Sequence, residues 1–186
     1  MEKDRAASSM KAYLAGPDVF LPNNEVNIRV KLDLCVSAGL KPLYPLDNEV
    51  DPEKPDAAEI IKSSNLDMIN SADIVLANTS PFRGPHIDPG TALEIGYAIA
   101  LGKVVFGYTN DDRELIDRIK QDFSNGVIKK DTLIEDFGLS ENLMISTSLD
   151  HPEFKIHQPS DLSAIAAFKV MIKYIQINSD KLYLRL

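Results

Sequence analysis

The chain has a single cysteine, Cys35, so it cannot close an internal disulfide, and it suits a reducing compartment. That thiol sits in the apolar run Leu32-Asp33-Leu34-Cys35-Val36 and is expected to be buried and structural rather than nucleophilic. No apolar run reaches the length of roughly 20 residues that a bilayer-spanning helix needs, and the opening MEKDRAASSM has no apolar signal segment. A cytoplasmic protein is therefore expected, with no membrane partner. Positive charge is also scarce: 20 Lys and Arg face 28 Asp and Glu, a formal net charge of -8. Such a surface repels phosphate backbones, which argues against a nucleic-acid partner. There is no Walker A loop, no GxGxxG turn and no HExxH helix, and His86, His151 and His157 lack metal-ligand spacing and read as lone surface residues. The serines lack a nucleophile-elbow context. No cofactor and no metal are expected.

What is present is an alternation of strands and helices over 186 residues, a length that fits one domain. Residues 1–10 read as a polar N-terminal extension, and 11–186 as a single domain. Strands are predicted at KAYLA (11–15), KPLYP (41–45), IVLAN (74–78) and KVVFGY (103–108), each a short apolar or β-branched run bounded by turn residues. Helices are predicted over 24–38, closed by Gly39, and over 57–70, 111–122 and 161–177. A further helix begins with Asp88 as N-cap and Pro89 at the first helical position, and ends at Gly102. Between 123 and 159 the pattern is weak, with short strands at LMIST and FKIHQ as the expectation. The alternation points to an α/β fold, a doubly wound, flavodoxin-like parallel sheet with helices on both faces. In such sheets ligands bind beyond the carboxyl ends of the strands. The loops to inspect therefore hold Gly16 to Phe20, Leu46 to Glu49 and Thr79 to Asp88.

The segment 81–102, PFRGPHIDPGTALEIGYAIALG, is the most informative. Glu94 is the one charged residue between Pro89 and Gly102 on an otherwise apolar or small-residue helix. A carboxylate there is partly buried, which is costly unless it is paired or functional. Its neighbours one helical turn away, Gly90, Thr91, Tyr97 and Ala98, are mostly small and leave room for a ligand. A structural ion pair with a distant lysine or arginine is the competing explanation, and composition does not separate the two. Asp88 lies roughly 9 Å along the helix axis from Glu94. It caps the helix on the ordinary reading, yet the pair could also form a two-carboxylate site suited to glycosidic chemistry. Tyr13 reads as a core tyrosine and Asn142 as a turn or cap residue.

Four segments then resemble one family. YLAGPDVF (13–20), PLDN (45–48), SADIVLANTSPFRGPHIDPGTALEIGYAIALGK (71–103) and NLM (142–144) match the nucleoside 2-deoxyribosyltransferases in order, and SPFRG with FGL-xx-NLM is similar to the purine-preferring members. The resemblance implies transfer of 2-deoxyribose between nucleobases, with 2′-deoxynucleosides and free bases as partners, in nucleoside salvage or catabolism. It also implies a homo-oligomer with composite active sites. It makes Glu94 the nucleophile, Asp88 the carboxylate that holds and orients the sugar, and Tyr13 the residue that positions Glu94. Asn142 then reaches the sugar in a neighbouring subunit's site. Asp47, Asn48 and Phe20 lie near the base, and Gly16 heads the same loop as Phe20. Asn65 falls where some members carry an aspartate that protonates or binds the base. An amide donates no acid proton, so the proton donor to the leaving base is open.

Two other functions remain in view. One is a 2′-deoxynucleoside 5′-monophosphate N-hydrolase, which would need a phosphate site where this sequence offers Arg83 as the sole cation between Asp73 and Gly102. The other is a non-catalytic nucleotide-binding module on the same fold.

Overall fold

The computed structural model describes residues 9–22, 24–45, 51, 53–126, 131–155 and 161–186, without the side chains of 123 and 161–163. The strands are β1 (Lys11–Ala15), β2 (Lys41–Leu43), β3 (Ile74–Asn78), β4 (Val104–Thr109) and β5 (Phe154–Lys155). They form one sheet in the order β2-β1-β3-β4-β5, every pairing parallel. The doubly wound α/β architecture expected from the alternation is the one observed.

Strand alternation assigns side chains to two separate cores. Ala12 and Leu14, Ile74 and Leu76, and Phe106 and Tyr108 join one cluster. Helices α1 (Asn24–Ser37) and α6 (Asp161–Ile177) cover it, with Leu182 from the short α7 (Ser179–Tyr183). Tyr13 and Ala15, Val75 and Ala77, and Val105 face the other side, beneath α2 (Ala57–Ser71) and α3 (Pro89–Ala100). Every residue of β3 and β4 is buried, as strands covered on both faces require. Cys35 is a buried free thiol. Among the described residues no helix is long and apolar enough to cross a membrane.

The helix signals hold in detail. Gly39 takes a left-handed φ of 80°, and Leu40 N–H returns to the Cys35 carbonyl at 2.9 Å, closing α1. Asp88 caps α3, with Pro89 in its first turn. Two expectations differ. The helix predicted over 111–122 is α4 (Leu115–Ser124), because the Asp111 carboxylate accepts from Arg113 N–H at 3.1 Å and makes a turn first. LMIST is not a strand: α5 (Leu143–Ser146) forms there, since Asn142 Oδ1 accepts from Met144 N–H at 3.0 Å and starts a helical turn. In FKIHQ, Phe154 and Lys155 form β5, and residues 156–158 lie outside the described set.

The strand order reverses direction between β1 and β3, and the loops that follow them part there. A side chain at Gly16 would meet Asn78 Cβ at 2.7 Å and Asp18 Oδ2 at 2.9 Å, so only glycine lets the β1 loop lie against the end of β3. The loop is pinned by a buried charge pair. Lys31 of α1 donates to Asp18 Oδ1 at 2.5 Å and to the Tyr108 hydroxyl at 2.9 Å, and Asn78 donates to Asp18 Oδ2 at 3.3 Å. Burial pushes the Lys31 amine down, and the Asp18 carboxylate opposes that shift. Breaking such a pair leaves an uncompensated buried charge. Lys31→Met is therefore expected to lower unfolding stability by about 3 kcal/mol. The double variant Asp18→Asn/Lys31→Met should recover much of that loss, both read from urea denaturation midpoints.

Candidate active site

Tyr13 and Glu94 meet above the sheet at this switch point. Tyr13 sits in β1 with its side chain on the α2–α3 face, fully buried, and its hydroxyl donates to Glu94 Oε1 at 2.6 Å. Burial pushes the Glu94 carboxyl up to about 7; the Tyr13 bond acts against this and the nearby Asp88 charge adds to it. Burial, with the Glu94 charge beside it, also drives the Tyr13 hydroxyl far above its ordinary value, so it remains a donor. Among the described residues no lysine or arginine bridges Glu94, so the ion-pair explanation of this half-buried carboxylate is not what the structure shows.

Asp88 does what its position before Pro89-Gly90 predicts. Its Oδ2 accepts from Thr91 N–H at 3.0 Å. A Cβ on Gly90 would stand 2.8 Å from that same oxygen, so glycine leaves the carboxylate uncovered. Of the four neighbours of Glu94 expected to leave room, Thr91 and Ala98 are buried beneath the helix and Tyr97 donates to Asn70 Oδ1 at 3.1 Å. Gly90 is the one that opens to the surface. The helix thus offers one carboxylate held by a phenol and a second tied to its N-terminus, both at the carboxyl edge of the sheet.

The remaining expected residues fall into three groups. Phe20 is exposed and stacks on Phe82 with ring centroids 5.8 Å apart, while the Arg83 guanidinium lies 5.2 Å from the Phe20 ring and 4.6 Å from that of Phe82. Asn65 lies on α2, and its buried Oδ1 has no hydrogen-bond partner among the described residues. Asp47 and Asn48 lie outside the described residues. Asn142 caps α5 in its own chain, and its Nδ2 donates to Glu135 Oε2 at 3.1 Å.

Two features had no counterpart in the sequence patterns. Glu141 is a charged residue at 1% exposure. It accepts from the His86 ring at 2.8 Å, from Ile87 N–H at 2.9 Å and from Asn142 N–H at 2.9 Å. Burial acts to raise its carboxyl, but these bonds outweigh burial and hold it below the usual range. His86 is correspondingly raised, mainly by its bond to Glu141, and is no lone surface histidine. Nor is His151, whose ring stacks 4.6 Å from that of Phe154; His157 is outside the described residues. An acidic residue inside FGLSENLM gives no periodic or spacing signal, so only the fold reveals its partners.

Comparison with known proteins bears on this arrangement. The family model described as nucleoside 2-deoxyribosyltransferase matches residues 12–144. The structure of a 2-deoxyribosyltransferase from Leishmania mexicana is 33% identical, with 89% of this chain and 98% of that one covered at a TM-score of 0.64. A 2-deoxyribosyltransferase from Bacillus psychrosaccharolyticus shares the fold at 23% identity and a TM-score of 0.53, with 78% and 86% of the two chains covered. An uncharacterized protein of Schizosaccharomyces pombe is 34% identical over 113 residues, 58% of this chain, and the match spans only 54% of that protein's length. The matched residues run from β1 into α5 and so contain Tyr13, Asp88, Glu94 and Asn142; the chain belongs to the nucleoside 2-deoxyribosyltransferase family.

Proposed function

We propose that this protein transfers 2-deoxyribose between nucleobases by a retaining double displacement, with purine deoxynucleosides preferred. The observation that carries the reading is the 2.6 Å bond from Tyr13 to Glu94, beside the Asp88 carboxylate. The ionised Glu94 oxygen attacks C1′ of the sugar from the face opposite the base. The C1′–N bond breaks, its electron pair goes to the base nitrogen, and that base takes up a proton. A glycosyl ester on Glu94 remains. A second base attacks C1′ and gives up its N–H proton, matching the proton the first base took, while the ester bond breaks and the carboxylate returns, so two inversions give net retention. Without a 2′-hydroxyl the developing cation loses less inductive stabilisation, which favours deoxyribosides over ribosides. Tyr13 donates to one Glu94 oxygen and fixes its direction, and Asp88 holds the sugar. Asn65 carries an amide, which can bind the base but supplies no acid proton to it. Arg83 is the sole cation between Asp73 and Gly102, too little for a phosphate site, which favours a nucleoside rather than a nucleotide as substrate.

The direct test is incubation with deoxyinosine and adenine, following products with time. Deoxyadenosine and hypoxanthine should appear together, inosine should turn over far more slowly than deoxyinosine, and Glu94→Ala should form neither product while remaining folded. Comparable turnover of inosine, or more than trace activity in folded Glu94→Ala, contradicts the reading.

The raised Glu94 carboxyl sets a pH dependence. The nucleophile is the ionised form, so kcat/KM should climb with pH through about 7. Tyr13→Phe removes the bond that favours the carboxylate, so the climb should move to higher pH. An unmoved profile would mean that Tyr13 does not govern Glu94.

We infer further that Asn142 serves a neighbouring subunit's site, so that the working enzyme is at least a dimer. Glu94→Ala and Asn142→Ala would then each be inactive, but a mixed dimer would have one site carrying both defects and one carrying neither. Activity should partly return when subunits exchange. Demonstrated exchange with no recovery would leave Asn142 to its own chain, where it caps α5.

A further inference from the structure

Glu141 ties the loop that ends at Asp88 to the start of α5 through one carboxylate. Its Oε2 accepts from Ile87 N–H at 2.9 Å, immediately before Asp88, which caps the helix bearing Glu94. Its Oε1 accepts from Asn142 N–H at 2.9 Å, at the N-terminus of α5, and from the His86 ring at 2.8 Å. The strut is itself anchored. Arg118 Nη2 of α4 lies 3.8 Å from Oε2, and the same guanidinium donates to the Ser140 carbonyl. Ser146 Oγ brackets the Glu141 backbone, accepting from its N–H and donating to its carbonyl, each at 3.2 Å. At 1% exposure this carboxylate has no access to substrate, and its lone pairs are taken by the chain.

We propose that Glu141 is a positioning residue for deoxyribosyl transfer, fixing the Asp88 loop against the segment that presents Asn142. The argument is one of geometry. Ile87 N–H and Asn142 N–H belong to segments 55 residues apart, with no sheet pairing between them. A single rigid acceptor bonded to both sets their separation. An amide cannot replace it: Gln offers one acceptor oxygen and a donor NH2, so one of the two backbone N–H groups would face a donor. Aspartate keeps the charge but is one methylene too short to meet both. The consequence for reaction is that the sugar-holding carboxylate and the segment presenting Asn142 lose their fixed relation, which admits water to the glycosyl intermediate. This inference rests on the deoxyribosyl-transfer reading above.

The experiment compares wild type with Glu141→Gln in the deoxyinosine–adenine assay, at fixed adenine. The ratio of deoxyadenosine formed to free deoxyribose released is measured together with KM for deoxyinosine. That ratio does not depend on how much enzyme is folded, so a merely structural role would not move it. The expected result is a fall in the ratio of about fivefold and a rise in KM of about tenfold. His86→Ala removes one donor without stranding the Arg118 charge, and should move both quantities in the same direction by a smaller factor; it carries the test if Glu141→Gln does not fold. An unchanged ratio and KM in the folded variant, with only the total rate reduced, overturns the positioning role. If wild type itself transfers no deoxyribose, the functional reading falls, and this role falls with it.

Discussion

Everything the site can do depends on holding one carboxylate partly out of water without neutralising it. Glu94 is half-buried on an apolar helix, where a lone charge is costly, and no lysine or arginine among the described residues pairs with it. A cation would stabilise the charge and blunt it as a nucleophile. The phenol of Tyr13 does something different: it favours the ionised form by hydrogen bonding, yet leaves the group titrating near neutrality. That solution needs a strand with a polar tip aimed into an otherwise apolar face. This is why Tyr13 stands between Ala12 and Leu14, which point the other way into the opposite core.

Elsewhere in the molecule buried charge is treated in the opposite fashion. Lys31 and Asp18 neutralise one another beneath the α1–α6 side of the sheet, and Glu141 is satisfied by His86, two backbone N–H groups and the nearby Arg118. These groups have their partners in place and serve as anchors for loops. The loops they anchor are Gly16–Phe20 and the approach to Asp88, whereas Glu94 has a phenol and no cation for a partner. Paired charges around an unpaired one form a division of labour that composition alone does not express.

The sequence was legible where one physical rule acted alone. KAYLA, IVLAN and the helix over 161–177 were read to the residue, because strand runs and amphipathic spacing met no local competitor. Asp88-Pro89 gave its cap for the same reason. LMIST misled because its apolar, β-branched composition favours a strand, whereas the Asn142 side chain directs the backbone into a helical turn. Residues 111–114 misled similarly, since Asp111 folds onto Arg113 before the helix begins. In the site, Glu94 stood out because it interrupts an apolar helix, and Tyr13 because a resemblance named it. Glu141 had neither mark: its distant partners come from two other stretches of chain, His86–Ile87 and Arg118, and a contact of that kind is written only in three dimensions.

Gly107 lies in the middle of β4 and touches no part of the proposed site directly. Were it to carry even a methyl group, that carbon would stand 2.7 Å from Leu149 Cδ1 and 3.4 Å from Thr79 Cγ2. Leu149 follows α5 and leans into the second core beside Ile145. The bare strand is thus the bed on which Leu149 and, 3.3 Å from that same carbon position, Glu153 Cγ rest, and a wedge there would lift the end of the segment that carries α5. How low that segment settles on the sheet is governed in part by an atom missing from the strand's centre.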